Sequence, residues 1–153
     1  MTKSIPLTQG KFALVDDEDF EKLNQYKWHF SHGYAVNKSF KSGAIYMHRI
    51  IMDTPYGMET DHVNGDRLDN RRVNLRVCTR TENFRNMKIH AGNTSGFKGV
   101  SWDNERKKWI AQIFVDGHNK FLGRFADPEN AARTYDTYAS KYFGEFARRN
   151  FND

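Results

Sequence analysis

A chain of 153 residues with 38% hydrophobic content can hold two small domains with modest cores, and a third does not fit. The 24 Lys and Arg exceed the 19 Asp and Glu, and the resulting net charge of +5 favours a polyanionic partner. The single cysteine excludes an internal disulfide, and no apolar leader or run of about eighteen apolar residues suggests secretion or a membrane span, so a reducing cytoplasm is expected.

Along the first fifty or so residues, alternation predicts strands over 11–15 and 33–40, a short acidic helix over 17–24 and a longer strand over 44–52. This lobe reads as packing support for the rest of the chain. His48 and Arg49 lie on the last of these strands, just ahead of the richest motif in the chain.

That motif is ETDHVNGDRLDNRRVNLRVCTRTENFRN, residues 59–86. Asp61 and His62 close a short strand. Val73, Leu75 and Val77 alternate with Asn74, Arg76 and Cys78, which predicts a second strand with Asn74 on its polar face. Thr79 and Glu82 form a capping box, so a helix starts near Arg80 and holds Asn83 at the end of its first turn. Asn64-Gly65-Asp66 and Asp69-Asn70-Arg71-Arg72 read as turn chemistry between the strands.

Phosphodiester hydrolysis needs a base to deprotonate water and a cation to neutralise the charge building on phosphate. His62, with an unperturbed pKa of about 6.5, suits the first task. Asp61 and the amide oxygen of Asn83 are hard oxygen donors, which favour Mg²⁺ or Mn²⁺. Zinc is not expected, because Cys78 has no partner cysteine. Asn74 is a candidate to accept the far imidazole N–H and fix the tautomer of His62, and Arg49 to aim a cation at the scissile phosphate. Asp61 and His62 face opposite ways in a regular strand, so they share one site only at a strand end or twist.

These residues resemble the HNH family of ββα-metal endonucleases, in the branch typical of phage and intron homing enzymes. The resemblance implies a metal-dependent DNA endonuclease in which Asp61 and Asn83 hold a Mg²⁺-like ion and His62 is the base. Its setting would be a bacterial or phage-infected cell.

The small polar stretch at residues 91–95 reads as a linker. Beyond it, strands are predicted over 97–102, 109–115 and 121–125, with Asp116-Gly117 as a hairpin turn. Asp127 then caps a helix opening with Pro128, and Ala131, Tyr135, Tyr138 and Tyr142 recur on one of its faces. Alternation puts Trp109, Ala111, Ile113 and Val115 toward that helix and Lys108, Ile110, Gln112 and Phe114 away from it, joined by Lys98 and Arg124 on a polar, basic surface. The stretches FKGV, KWIAQI, FLGRF, ENAARTYD and FGEFARRNF resemble the plant APETALA/ethylene-response-factor DNA-binding domain. Ser101, Asp103 and Phe114 stand where the plant domains carry basic residues, so the plant target is not implied. Lys98, Ser101, Lys108, Gln112, Phe114 and Arg124 are the candidate contacts to double-stranded DNA.

The expected architecture is α+β. A nuclease domain at 1–92 comprises a β-rich lobe at 1–56 and the ββα unit at 57–90. A three-stranded antiparallel sheet packed on one helix follows at 93–153. A DNA-binding regulator without catalysis and a non-specific nuclease toxin are the rival classes. The sequence does not choose between monomer and dimer.

Overall fold

The computed structural model describes residues 1–38 and 43–151. The chain divides into two compact units, Met1–Asn83 and Phe84–Asp153.

In the first unit, β1 (Thr2–Pro6) pairs antiparallel with β2 (Phe12–Asp16), and α1 (Asp17–Asn24) follows directly. Three acids in the first turn of α1 suit the positive end of its dipole. A second sheet is formed by β3 (His29–Ser31), β4 (Tyr34–Asn37) and β5 (Ile45–Tyr46), in that order. The strand expected over 33–40 corresponds to β4, and its final two positions lie outside the described residues. The strand expected over 44–52 is not formed. Only Ile45 and Tyr46 are extended, and α2 (Met47–Ile51) follows. Met47 and Ile51, one turn apart, bury in a core with Ile5, Ala13, Val15, Leu23, Trp28 and Leu75, and His48 beside Met47 is buried as well, a spacing that fits a helix face and not the alternation of a strand.

The motif segment gives β6 (Glu59–His62), β7 (Leu75–Cys78) and α3 (Arg80–Arg85). The strands pair antiparallel with Asp61 opposite Arg76 and His62 opposite Leu75. The capping box is reciprocal: Thr79 N–H donates to Glu82 Oε2 at 2.7 Å, and Glu82 N–H to Thr79 Oγ1 at 3.2 Å.

The second unit is a sheet of β8 (Val100–Asp103), β9 (Lys108–Val115) and β10 (His118–Phe125), in spatial order β10-β9-β8, with α4 (Pro128–Phe143) against one face. Ala111, Ile113 and Val115 meet Ala131, Ala132, Tyr135, Ala139 and Phe143. The aromatic stripe foreseen for the helix therefore holds only in part, since Tyr142 is exposed and stacks on Tyr138 instead. Gly99 is required where β8 begins, because a Cβ there would lie 2.0 Å from the Tyr135 ring. No helix among the described residues is long and apolar enough to cross a membrane.

Candidate active site

His62 is the last residue of β6 and is buried at 5% exposure. Its Nε2 meets Oδ1 of Asn70 at 3.3 Å. Asn70 is fully buried; its amide donates to the Leu68 carbonyl, and its backbone N–H donates to the Leu14 carbonyl on β2. The loop between β6 and β7 is thus tied to the N-terminal hairpin, with Leu14 N–H returning a bond to Leu68. Arg72 adds a second tie by gripping Asp19 on α1 through two bonds of 2.8 and 2.7 Å.

Asn74 does not lie on a strand. It ends a 3₁₀ turn (Arg72–Asn74), which leaves Val73 83% exposed instead of in an apolar strand face. Its Oδ1 accepts from the Asn64 N–H at 3.0 Å and its amide donates to the Asp69 carbonyl at 2.7 Å. The amide that reaches the imidazole is Asn70. Sequence alone offered three asparagines in this loop and no local signal to choose among them.

Asp61 is buried and its Oδ2 accepts from Nε and Nη2 of Arg76, its cross-strand partner, at 3.0 and 2.7 Å. This Arg was not foreseen, and it fixes the carboxylate in place. Asn83, on α3, donates its amide to Glu59 Oε2 at 2.6 Å. Glu59 and Asp61 share one face of β6 by alternation, so Asn83 is drawn toward the side that carries Asp61. Among the described residues, no three His, Cys, Asp or Glu side chains converge as a metal cluster. Burial pushes the Cys78 thiol up to about 11, so it is protonated at neutral pH.

The surroundings of His62 come from the N-terminal lobe. The His48 ring meets it edge-on with centroids 5.0 Å apart, and the Tyr34 ring lies 6.1 Å from it and 5.4 Å from His48. Arg67 sits over Tyr34 at 4.6 Å. Burial, then the charge His62 can carry, pushes His48 down to about 3. His62 is also lowered, chiefly by burial, against the opposing pull of Asn70 and nearby carboxylates. Both imidazoles are therefore neutral at physiological pH. Arg49, on α2, donates Nη1 to the Met58 carbonyl at 2.9 Å, bracing the chain just before β6.

In the second unit, Ser101, Ile110 and Arg124 align across three strands, and Gln112 pairs with Phe121. Paired residues share a face, so Ser101, Lys108, Gln112, Phe114 and Arg124 all lie on the side away from α4. Phe114 and Phe121 are 62% and 58% exposed there, and Arg124 is bound to Asp103 at 3.0 Å. Lys98 is elsewhere. It precedes β8, and its half-buried ammonium donates to the carbonyls of Arg85 and Met87 at 2.6 and 2.8 Å. The charge excess is concentrated in this unit: twelve Lys and Arg against eight Asp and Glu leave +4 of the total +5.

Comparison with known proteins gives three findings. The family model described as HNH endonuclease matches residues 46–85. An uncharacterized HNH endonuclease of Acanthamoeba polyphaga mimivirus is 30% identical over 149 residues, covering 93% of this chain and 76% of that protein. Protein 3.8 of Escherichia phage T7 is 42% identical over 67 residues, covering 42% of this chain and 55% of its own. No solved structure matches.

Proposed function

Because the chain belongs to the HNH endonuclease family, we propose that it is a sequence-directed DNA endonuclease of the homing type, hydrolysing phosphodiesters with one divalent ion. The observation that carries this reading is the buried His62 at the end of β6, held by Asn70, beside the Arg76-braced Asp61. A DNA-binding regulator has no need of such a base, and a non-specific toxin has no need of a second, basic unit.

With Asn70 Oδ1 as acceptor, Nε2 of His62 carries the ring proton, so Nδ1 has the lone pair that takes a proton from water. The hydroxide so formed attacks phosphorus and the bond to the 3′ oxygen breaks, giving a 5′-phosphate and a 3′-hydroxyl. Burial keeps the imidazole neutral and ready to accept. The donors on offer, the Asp61 carboxylate and the Asn83 amide with Glu59 alongside, are oxygens that fit Mg²⁺ or Mn²⁺ rather than zinc. Bound by Asp61 and Asn83, such an ion would neutralise charge developing on the phosphate and leaving oxygen. Arg76 orients Asp61 for that task, and Arg49 acts by bracing the approach to β6.

The second unit supplies the sequence-reading surface, in the manner of an APETALA/ethylene-response-factor domain. Lys108, Ser101, Gln112, Phe114 and Arg124 on its open face meet the major groove, while Lys98 serves from outside that face.

The test is supercoiled plasmid incubated with the full chain in Mg²⁺ or in EDTA, with His62→Ala alongside. Cleavage in Mg²⁺ alone, lost by about 10²- to 10⁴-fold in His62→Ala while DNA binding persists, is the expected result. Near wild-type single-turnover cleavage by His62→Ala would overturn the mechanism.

A further inference from the structure

A concavity of about 350 Å³ lies in the second unit, away from the open sheet face. Its walls are three separate stretches: Lys88 and Ile89, the Gly96-Phe97-Lys98 approach to β8, and Arg148, Arg149 and Asn150 of the C-terminal tail. Four of these eight residues are cationic and none is acidic.

The site is built by a specific clamp. Asn150 Oδ1 accepts from the Lys98 N–H at 2.6 Å, and its amide donates to the Lys98 carbonyl and to Asp136 Oδ1 at 3.1 and 3.0 Å. Buried Asp136 also takes the backbone N–H groups of Asn150 and Phe151 at 2.8 and 2.9 Å. The tail is thereby pinned across the start of β8. On the other side, the Lys98 ammonium draws in the segment carrying Arg85 and Met87 through their carbonyls.

Carbonyl dipoles satisfy N–H donors but do not cancel a charge. Burial, and then the charge of Arg148, pushes Lys98 down to about 8, so the ammonium is still mostly charged at pH 7 and gains from an added anion. We propose that this cavity holds a phosphate of the DNA backbone, with Lys98 at its floor and Lys88, Arg148 and Arg149 around it. This rests on the reading of DNA as substrate. Backbone phosphate is favoured over a free nucleotide because Asn150, the one neutral polar side chain in the lining, has its amide committed to Lys98 and Asp136. What remains is charge without a group to read a base or a sugar, which is the chemistry of sequence-independent phosphate contact.

The experiment measures binding of a DNA duplex by the full chain in EDTA, across a range of salt, so that cleavage plays no part. Lys98→Gln should flatten the slope of log K against log salt by about 0.9, equivalent to about eightfold weaker binding at 0.1 M salt relative to 1 M. The loss should be alike for every duplex sequence. Lys141→Gln, on the exposed side of α4, removes the same charge away from the cavity and should leave the slope unchanged. Lys88→Gln, exposed at the rim, repeats the test should Lys98→Gln fold poorly. Wild-type slope and affinity in both cavity variants overturn the proposal, even if the wild-type chain cuts plasmid. Micromolar binding of adenosine monophosphate by calorimetry, abolished by Lys98→Gln, overturns it in favour of a nucleotide pocket. A wild-type chain that neither binds nor cuts DNA removes the functional reading itself.

Discussion

Asn70→Ala separates the amide that holds the His62 ring from Asn74, the amide the sequence singled out. The change removes the acceptor 3.3 Å from His62 Nε2 and the donor 3.2 Å from the Leu68 carbonyl. Asn70 is 0% exposed and the Leu68 carbonyl keeps its bond from the Leu14 N–H at 2.8 Å, so the cost falls on the buried His62 ring, which loses its Asn70 acceptor. A buried polar group deprived of its partner costs about 1–3 kcal/mol, and that is the loss of unfolding free energy expected. The rate effect is distinct. Freeing the imidazole from its amide and its tautomer should slow single-turnover cleavage by about 10- to 100-fold, short of the loss from removing the base itself. Asn74→Ala instead breaks bonds to Asn64 and Asp69 inside the loop, so it should destabilise the fold yet leave the rate of the folded fraction near wild type. Urea unfolding and single-turnover cleavage of plasmid, measured on both variants below their unfolding midpoints, decide the matter. Full activity in Asn70→Ala with a collapse of rate in Asn74→Ala would refute the assignment.

Three further outcomes follow from the geometry. His48 ionises near 3 in the folded chain and near 6.5 unfolded, so its contribution is complete above pH 6.5 and is lost as pH falls toward 3. The slope is about 1.4 kcal/mol per pH unit, or about 2 kcal/mol between pH 6.5 and 5; His48→Gln should flatten that part of the urea-midpoint profile, and an unchanged profile would deny His48 the role. On the open sheet face, Gln112→Ala should relax base preference at one position by about 1–3 kcal/mol, whereas Lys108→Ala should weaken all duplexes alike and lower the salt slope by about one. A binding-site selection in which both keep the wild-type motif and salt dependence would remove that face from DNA recognition. Finally, a fragment starting at Phe84 should be more stable than one starting at Thr94, because the shorter piece loses both carbonyls bound by Lys98 and the Arg85 guanidinium 4.6 Å over Phe143. Those contacts sum to about 2–4 kcal/mol, and equal thermal midpoints for the two fragments would show that residues 84–93 add nothing.

Where local chemistry decides structure, the sequence was readable. The acidic first turn of α1, the Thr79–Glu82 box before α3, the Asp127-Pro128 start of α4 and the alternation along β9 each act within a few residues, and each element formed where expected. Residues 44–52 misled because a run as apolar as IYMHRIIM suits a strand or a helix. What the structure adds is that Met47, His48 and Ile51 are all buried, whereas the spacing of four between Met47 and Ile51 suits one face of either element. Lys98 misled for another reason. Counted as though β8 began earlier, it fell on the open face, whereas its ammonium is claimed by carbonyls 11 and 13 positions back in the chain.

His62, the proposed base, shows the same division more sharply. His62 and Asp61 announce themselves by residue type, but what makes the imidazole usable is supplied from a distance. The backbone of Leu14 sets Asn70, Arg72 reaches 53 positions back to Asp19, and the Tyr34 and His48 rings pack beside the imidazole. Leu14, Asp19, Tyr34 and His48 all lie in the lobe that carried no motif of its own. A lobe that only lent stability could be replaced by any packing of similar area; this one holds Asn70 against the His62 ring and helps to bury it. Substitutions at Leu14's neighbours or at Asp19 should therefore act on rate through His62, despite lying outside every segment that sequence motifs mark as chemical.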